Sequence, residues 1–178
     1  MKTVLSLLAM LAVAVPPSIA GQLSDGTVFF EKSPRLLNFY STFQSARVWG
    51  AKYYVTIDLP ANTGEPLGSV SLQQRDGIQS IDFLSNKTFA FVGTRQNRGQ
   101  PLSIRSTNFD PATKTITVVF DPPVPPGNPV SIAFIPTRNP DYGGIYQFGI
   151  TAYPAGEKTT GLYLGVGRLT IYDAGDRW

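Results

Sequence analysis

The chain contains no histidine and no cysteine among its 178 residues. Without them there is no Ser-His-Asp triad, no thiolate nucleophile and no disulfide. Zinc fingers, iron–sulfur clusters and haem ligation through these side chains are excluded as well. Carboxylates remain as the acid–base groups on which an enzyme of this composition would depend.

Residues 1–20 have the features of an export signal. A lysine follows the initiating methionine, Thr3–Val15 is apolar, and two prolines precede a short run that ends at Ala20. Small residues at the last and third-last positions predict cleavage after Ala20. The apolar run is shorter than the ~20 residues of a membrane span. We therefore expect an exported product, residues 21–178, that folds as a single domain without a transmembrane segment.

Charge is scarce, at 15 % of the chain, and nearly balanced between the two signs. Of 15 basic residues, Lys2 leaves with the predicted signal, so 14 stand against 12 acidic ones. A net charge of this size gives no reason to expect binding to nucleic acid. With 42 % hydrophobic residues, the composition is typical of neither a disordered nor a membrane-spanning chain.

After residue 20 the dominant hydrophobic period is two, which is typical of β-strands. Turn residues separate these runs, so we predict an all-β fold, an antiparallel immunoglobulin-like β-sandwich of about seven to nine strands, with a closed barrel as the alternative. Only Ser41–Trp49 leaves room for a short helix or turn. The predicted strands are Thr27–Phe30, Tyr53–Leu59, Ser69–Gln74, Gln79–Leu84, Thr88–Val92, Thr115–Phe120, Val130–Ile135, Tyr146–Ala152 and Leu162–Ile171.

Two segments interrupt the regular pattern. In the last run, Leu162, Leu164 and Val166 occupy one face of the strand, whereas Leu169 and Ile171 fall on the opposite face. A bulge at the glycines between the two groups would bring both groups to the core. A ligand approaching the bare glycine backbone is the alternative reading. Asp121–Pro129 contains five prolines, which cannot donate to a sheet ladder. We predict a stiff extended loop outside the sheet there, with a PxxP ligand as the alternative.

Several motifs of the second half follow one another in a specific order: Phe120-Asp-Pro-Pro-Val-Pro-Pro-Gly127, Pro136-Thr-Arg-Asn-Pro140, Gly144-Ile-Tyr-Gln-Phe-Gly149 and Leu164-Gly-Val-Gly-Arg-Leu169. Together they resemble a family of small exported cyanobacterial proteins known only as a domain of unknown function. The first half agrees more loosely, through Tyr53-Tyr-Val-Thr-Ile-Asp-Leu-Pro60. The resemblance implies an exported, envelope-associated protein. It implies no activity, because the family has no established catalytic or binding residues.

Motifs for catalysis, metals and cofactors are scarce. The chain lacks G-x-S-x-G, S-x-x-K and a Gly-Lys-Ser/Thr phosphate loop. Asp173 and Asp176 are the closest approach to a calcium loop and lack the remaining ligands, so we predict no metal and no cofactor. Two carboxylates could still hydrolyse a glycosidic bond if the fold paired them. A small carboxylate-dependent glycoside hydrolase is therefore the alternative function.

Five residues are candidates for ligand contact. Arg95, Arg98 and Arg105 fall in a polar loop followed by a possible strand, and guanidinium groups suit carboxylate or phosphate groups of an envelope polysaccharide. A solvated loop with charges that protect a sheet edge is the alternative. Trp49 and Tyr142 lie near turns, where flat rings could stack on sugars, although packing at strand ends would also explain them.

These observations predict an exported, non-enzymatic envelope protein located in the periplasm or at the cell surface. It would act as an interaction or binding module for an unknown envelope protein or polysaccharide, without nucleic acid or a cofactor. A polysaccharide-binding module is one form of this prediction, and the small hydrolase is the competing class.

Overall fold

The computed structural model describes residues 21–173, which form two five-stranded sheets. The first sheet has the order β1-β2-β8-β4-β5 and the second has the order β10-β9-β3-β7-β6, with every neighbouring pair antiparallel. The strands are β1 (Arg35–Ser41), β2 (Tyr53–Asp58), β3 (Leu67–Asp76), β4 (Phe89–Gly93), β5 (Arg98–Leu102), β6 (Ile104–Asp110), β7 (Thr115–Val124), β8 (Val130–Phe134), β9 (Gly144–Pro154) and β10 (Leu162–Ile171).

The predicted immunoglobulin-like sandwich is confirmed, with ten strands instead of seven to nine. Each sheet keeps its own edge strands, so the alternative of a closed barrel is wrong. A single 3₁₀ turn, Ser85–Lys87, is the only helical segment that these residues contain. No helix between residues 21 and 173 has the length and apolarity needed to cross a membrane. The predicted export signal, Asp176 and the rest of the C-terminus lie outside the described residues.

The core lies between the sheets and follows from the period of two. Alternate residues of a strand point to the same face, so apolar residues at i, i+2 and i+4 are buried together. Each large side chain that is fully buried contributes about 1.5–3 kcal/mol relative to exposure. The fully buried side chains of the central strands include Tyr53, Val55, Ile57, Val70, Leu72, Ile116, Val118, Val130, Ile132, Phe134, Tyr146, Phe148 and Ile150.

The two long sides of the sandwich close differently. On one side the chain passes directly from the first sheet to the second, because Ser103 alone separates β5 from β6. On the other side, Phe39 of β1 packs 5.3 Å from Phe148 of β9, measured between ring centroids. A Cβ atom on Gly167 of β10 would lie only 2.2 Å from the Phe39 ring. The glycine therefore provides the space that this ring occupies.

Two predicted strands are wrong. Thr27–Phe30 makes only isolated bridges at Val28, because it crosses the end of the sandwich beside the loop before β10. Gln79–Leu84 is a loop with one bridge at Phe83. Its alternation still buries apolar side chains, but the amide of Ile81 donates to the side-chain oxygen of Gln74 (2.9 Å) and not to a neighbouring strand. Ser41–Trp49 forms turns, which is one of the two forms predicted.

The predicted exclusion of Asp121–Pro129 from the sheet is wrong for its first four residues, which belong to β7. In the pairing of β3 with β7, Ser69 lies opposite Val119 and Leu67 lies opposite Val124. The residues of β7 between these two, which include Pro122 and Pro123, have no partner in β3, so the prolines interrupt no regular pairing. The bulge in β10 is confirmed, because the register shifts between Tyr163 and Gly165. Val166 is half exposed, however, and does not join Leu162 and Leu164 on the core side.

Candidate functional site

The five predicted contact residues lie in three places. Arg95 is in the turn between β4 and β5, and Arg98 begins β5, so both belong to the first sheet. Arg105 lies on β6 of the second sheet, because the chain has changed sheets before reaching it. Trp49 and Tyr142 lie in the loops at one end of the sandwich, where β1 and β8 finish and β2 and β9 begin.

A second hydrophobic cluster covers the outward face of the first sheet. Tyr40 of β1 stacks on Tyr54 of β2, with ring centroids 5.2 Å apart and planes 10° from parallel. Tyr54 in turn meets Phe89 and Phe91 of β4, each at 6.4 Å. Ala133 of β8 lies between them and pairs with both Tyr54 and Phe89, so its small side chain leaves room for the rings to meet. We call these four rings the outer aromatic cluster.

Two arginines lie over the outer aromatic cluster. The guanidinium carbon of Arg98 is 4.5 Å from the centroid of Phe91 and 5.2 Å from that of Phe89. The guanidinium carbon of Arg95 is 5.6 Å from the centroid of Tyr40. Such contacts are cation–π interactions, and they fix the plane of a guanidinium group whose N–H donors lie along its edge. Within residues 21–173, neither arginine has a carboxylate oxygen within 4.0 Å.

The hydroxyl group of Tyr40 adds an unused donor to this surface. It is buried and has no hydrogen-bond partner among the described residues. Burial raises the pKa of Tyr40, an effect that the charge of Arg95 partly offsets, so the hydroxyl is neutral at physiological pH. A buried polar group left without a partner costs about 1–3 kcal/mol.

Arg105 lines a different groove, on the outer side of the second sheet, with a volume of about 620 Å³. Asp121 and Glu157 line the same groove, so the charge there is mixed. Neither carboxylate forms a salt bridge with an arginine of the described residues, and a pair of this kind is what the hydrolase alternative would need. A second acidic pair, Glu31 and Asp58, shares another groove, where Arg35 engages Asp58 at 2.8 Å.

Asn139 ties together the loops that carry Trp49 and Tyr142. Its side-chain amide donates to the carbonyl oxygens of Phe43 and Ser45, each at 2.9 Å. Its side-chain oxygen accepts from the hydroxyl of Tyr53 at 3.0 Å, and its backbone amide donates to the carbonyl of Val48 at 2.8 Å. Asn139 and Tyr53 are fully buried, so the loop arrangement is fixed from within the fold.

The exposed rings at this end are connected through a pair of charged side chains. Trp49 is 67 % exposed and Tyr142 is 57 % exposed. The guanidinium carbon of Arg138 lies 6.0 Å from the centroid of Trp49, and Arg138 forms a salt bridge at 3.0 Å with Asp141, the residue before Tyr142. The structure therefore brings the loops of the two predicted rings to the same end of the sandwich, which we call the Asn139 loop end.

Sequence reasoning missed the residues that organise both surfaces. Phe89 and Phe91 occupy outward positions of β4, where a polar residue is usual, and this departure was the available signal. For the loop end, the signal was the motif Pro136-Thr-Arg-Asn-Pro140, which holds Arg138 and Asn139 but shows nothing of their contacts. No group of three acidic side chains close enough to hold a metal ion occurs in the part of the chain that the structure describes.

Solved structures with a similar strand arrangement have little sequence in common with this chain. The collagen-binding domain from a Staphylococcus aureus adhesin is 13 % identical, with 75 % of this chain and 96 % of that one covered and a TM-score of 0.38. The C-terminal domain of the Streptococcus agalactiae AgI/II polypeptide BspA is 12 % identical, covering 81 % and 46 %, with a TM-score of 0.44. A cohesin module from a Clostridium perfringens family 33 glycoside hydrolase is 12 % identical, covering 79 % and 98 %, with a TM-score of 0.40.

Likeness at this level gives no information about ligands or activity. No curated protein matches the chain. A family model described as "Protein of unknown function (DUF2808)" matches residues 27–171, which span all ten strands. The chain therefore belongs to the DUF2808 family.

Proposed function

We propose that this protein is an exported, non-enzymatic binding module of a cyanobacterial cell envelope, in the periplasm or at the cell surface. Its ligand is a polysaccharide that carries carboxylate or phosphate groups, held by Arg95 and Arg98. The observation that carries the proposal is that two guanidinium groups lie over the same cluster of four aromatic rings, and neither has a carboxylate partner in residues 21–173. The signal-like residues 1–20 and the family resemblance support the export and the envelope location.

The chemistry of a stacked guanidinium group favours an oxyanion as the ligand. Its face is already in contact with a ring, and the N–H donors at its edge match the two oxygens of a carboxylate or phosphate. Both arginines lie on one sheet face, so they can act on the same ligand molecule.

The exposure of the arginines favours a polymer over a single acidic sugar. An ion pair at an exposed site contributes about 0–1 kcal/mol, so one acidic group would bind weakly. A polysaccharide repeats its acidic groups, and a second contact on the same molecule forms at a high effective concentration. Arg95 and Arg98 together can therefore retain a polymer that neither arginine retains alone.

The experiment measures retention of the exported protein on native envelope fractions at about 0.05 M and about 0.5 M salt, because screening weakens exposed charge contacts. We expect the wild type to bind at low salt and the double variant Arg95→Ala/Arg98→Ala to lose most of that binding. The matched control is Arg75→Ala, because Arg75 also lies over a tyrosine ring, that of Tyr163 at 6.0 Å, but on the second sheet. It should bind like the wild type.

Three outcomes would contradict the proposal. Equal retention of the wild type and the double alanine variant at both salt concentrations would exclude these arginines. Loss of retention after protease treatment of the envelope, but not after removal of its polysaccharide, would identify a protein partner. Release of reducing sugar ends by the wild type, but not by Asp121→Asn, would show a hydrolase in the groove of Arg105.

A further inference from the structure

We propose that the Asn139 loop end is a second saccharide-binding site, which takes neutral sugar units: a sugar ring stacks on Trp49, and polar groups beside Arg138 bind its hydroxyls. The inference rests on the proposed function and deepens it, since it gives the polysaccharide a contact that does not depend on charge. It uses a surface that is separate from the outer aromatic cluster.

The platform for stacking is held in place before any ligand binds. Two backbone hydrogen bonds hold the two residues that precede Trp49: the amide of Asn139 donates to the carbonyl of Val48 (2.8 Å), and the amide of Arg47 donates to the carbonyl of Pro140 (2.9 Å). The Trp49 ring nevertheless remains 67 % exposed. A large flat ring on a fixed backbone loses little conformational entropy on binding, which is why such residues are effective contact sites.

Polar groups suited to hydroxyls surround Arg138, whose guanidinium carbon lies 6.0 Å from the centroid of the Trp49 ring. Asp141 orients two of them, since its carboxylate accepts from Arg138 at 3.0 Å and from the Gln79 side-chain amide at 3.3 Å. Its backbone amide donates to the Gln79 side-chain oxygen at 2.7 Å, which fixes that amide. A cavity of about 180 Å³ adjoins this group, and its polar lining residues are Gln79, Ser80, Asp82, Thr137, Arg138 and Asn139.

The same lining disfavours the two other occupants of an exposed aromatic surface. Asp82 lines the cavity, Asp141 precedes Tyr142, and Asp173 accepts a hydrogen bond from the Gly143 amide at 2.7 Å. Asp82 and Asp173 form no salt bridge with any other described residue, so their carboxylates repel the anionic surface of a membrane. An apolar peptide would cover the exposed polar side chains of Ser80, Asp82 and Thr137 without giving them partners, which costs binding free energy. Sugar hydroxyls, which both donate and accept, satisfy them.

The fluorescence of Trp49 provides a direct test. The chain has two tryptophans, so the substitution Trp178→Phe leaves emission from Trp49 alone. We titrate this variant of the exported protein with four neutral hexasaccharides, from glucan, mannan, xylan and chitin. We expect a saturable change in emission with at least one of them. The absence of a saturable change with all four would overturn the proposal, as would a shift produced only by phosphatidylglycerol vesicles.

Calorimetric titration of variants with the hexasaccharide that binds tests the role of the ring. We expect Trp49→Ala to weaken binding tenfold or more and Trp49→Phe, which keeps a flat ring, to weaken it only a few-fold. The matched control is Tyr163→Ala, because Tyr163 is 50 % exposed and has an arginine 6.0 Å from its ring, on the second sheet. Unchanged binding by Trp49→Ala would contradict the proposal.

The double variant Arg95→Ala/Arg98→Ala separates this inference from the proposed function. It should bind the neutral hexasaccharide like the wild type while losing retention on the envelope. Envelope retention that is independent of these arginines, with hexasaccharide binding intact, would refute the arginine site alone. Arginine-dependent retention without any hexasaccharide binding would refute the loop-end site alone.

Discussion

Replacing Asn139 by alanine removes three side-chain hydrogen bonds from the interior of the loop end. It also leaves the hydroxyl of the fully buried Tyr53 without a partner, together with the carbonyl oxygens of Phe43 and Ser45. A hydrogen bond contributes about 0.5–1.5 kcal/mol net, and a buried group left unsatisfied costs about 1–3 kcal/mol. We therefore expect the free energy of unfolding to fall by about 3–5 kcal/mol.

Urea denaturation followed by far-ultraviolet circular dichroism measures this change. The midpoint should move while the slope with urea stays constant, because the surface exposed on unfolding is almost the same. In a domain of this size the melting temperature should fall by roughly 10 °C, at about 2–4 °C per kcal/mol. The matched control is Asn108→Ala, at an exposed position of β6, which should change stability by less than about 0.5 kcal/mol.

A double-mutant cycle isolates the contact between the two buried side chains. Tyr53→Phe should cost about 1–2 kcal/mol, because it leaves the oxygen of Asn139 without its donor. In the double variant the two losses should not add, and a coupling of about 1 kcal/mol is expected for groups in direct contact. A change below about 0.5 kcal/mol for Asn139→Ala, or fully additive losses, would refute the role assigned to this asparagine.

Two further predictions concern the core. Gly167→Ala should lower the free energy of unfolding by about 1–3 kcal/mol in urea denaturation, because the added methyl group meets the Phe39 ring. The control is Val166→Ala, at the half-exposed neighbouring position, and equal effects of the two substitutions would contradict the packing described. Burial raises the pKa of Tyr53 and of Tyr146, and the charges of Asp173 and Asp141 raise that of Tyr146 further. Their neutral forms therefore stabilise the fold fully below about pH 10, and this stability is lost as the pH rises from there towards the raised pKa values. Urea denaturation between about pH 9 and 12 should show little change below about pH 10 and, above it, a fall of about 1.4 kcal/mol per pH unit from Tyr53 alone. The fall should be less steep in Tyr53→Phe, and a flat profile would contradict the prediction.

The regular strands could be predicted because burial on one face imposes a period of two. Val130–Ile135 and Tyr53–Leu59 each begin at the same residue as the observed strand and end one residue beyond it. The same alternation misled in Gln79–Leu84, where an irregular loop buries alternate residues and a glutamine side chain satisfies a backbone amide that a strand would pair. The hydrophobic period therefore shows which residues are buried. Whether the segment is a strand depends on the partners of its backbone hydrogen bonds.

The missed strands have features that weaken the pattern. Arg35–Ser41 has a register shift after Leu36, so its alternation is broken. Of its seven residues, only Leu36 and Phe39 pack against the main core, and both are only partly buried. Arg98–Leu102 is an exposed edge strand with a proline, a composition that is equally typical of a loop. Both can be recognised as strands only from their pairing with the neighbouring strands, β2 and β4.

Candidate residues could be chosen from the sequence, but their grouping could not. The three arginines are close in sequence, yet the change of sheet at Ser103 sends Arg105 to a different surface from Arg95 and Arg98. Trp49 and Tyr142 are far apart in sequence and lie at the same end because Asn139 joins their loops. Contacts between segments distant in sequence decide both cases, and a local pattern does not contain them.

The proposal that Arg95 and Arg98 form the ligand site can be tested directly on the signals of these two side chains in the folded protein. The measurement is the ¹⁵N–¹H correlation spectrum of the arginine side chains as acidic polysaccharide extracted from the native envelope is added. We predict that the Nε–H signals of Arg95 and Arg98 shift together and saturate, while those of Arg75 and Arg105 stay in place. Equal shifts of all four arginines, or unchanged signals of Arg95 and Arg98 while the polysaccharide binds, would contradict the account.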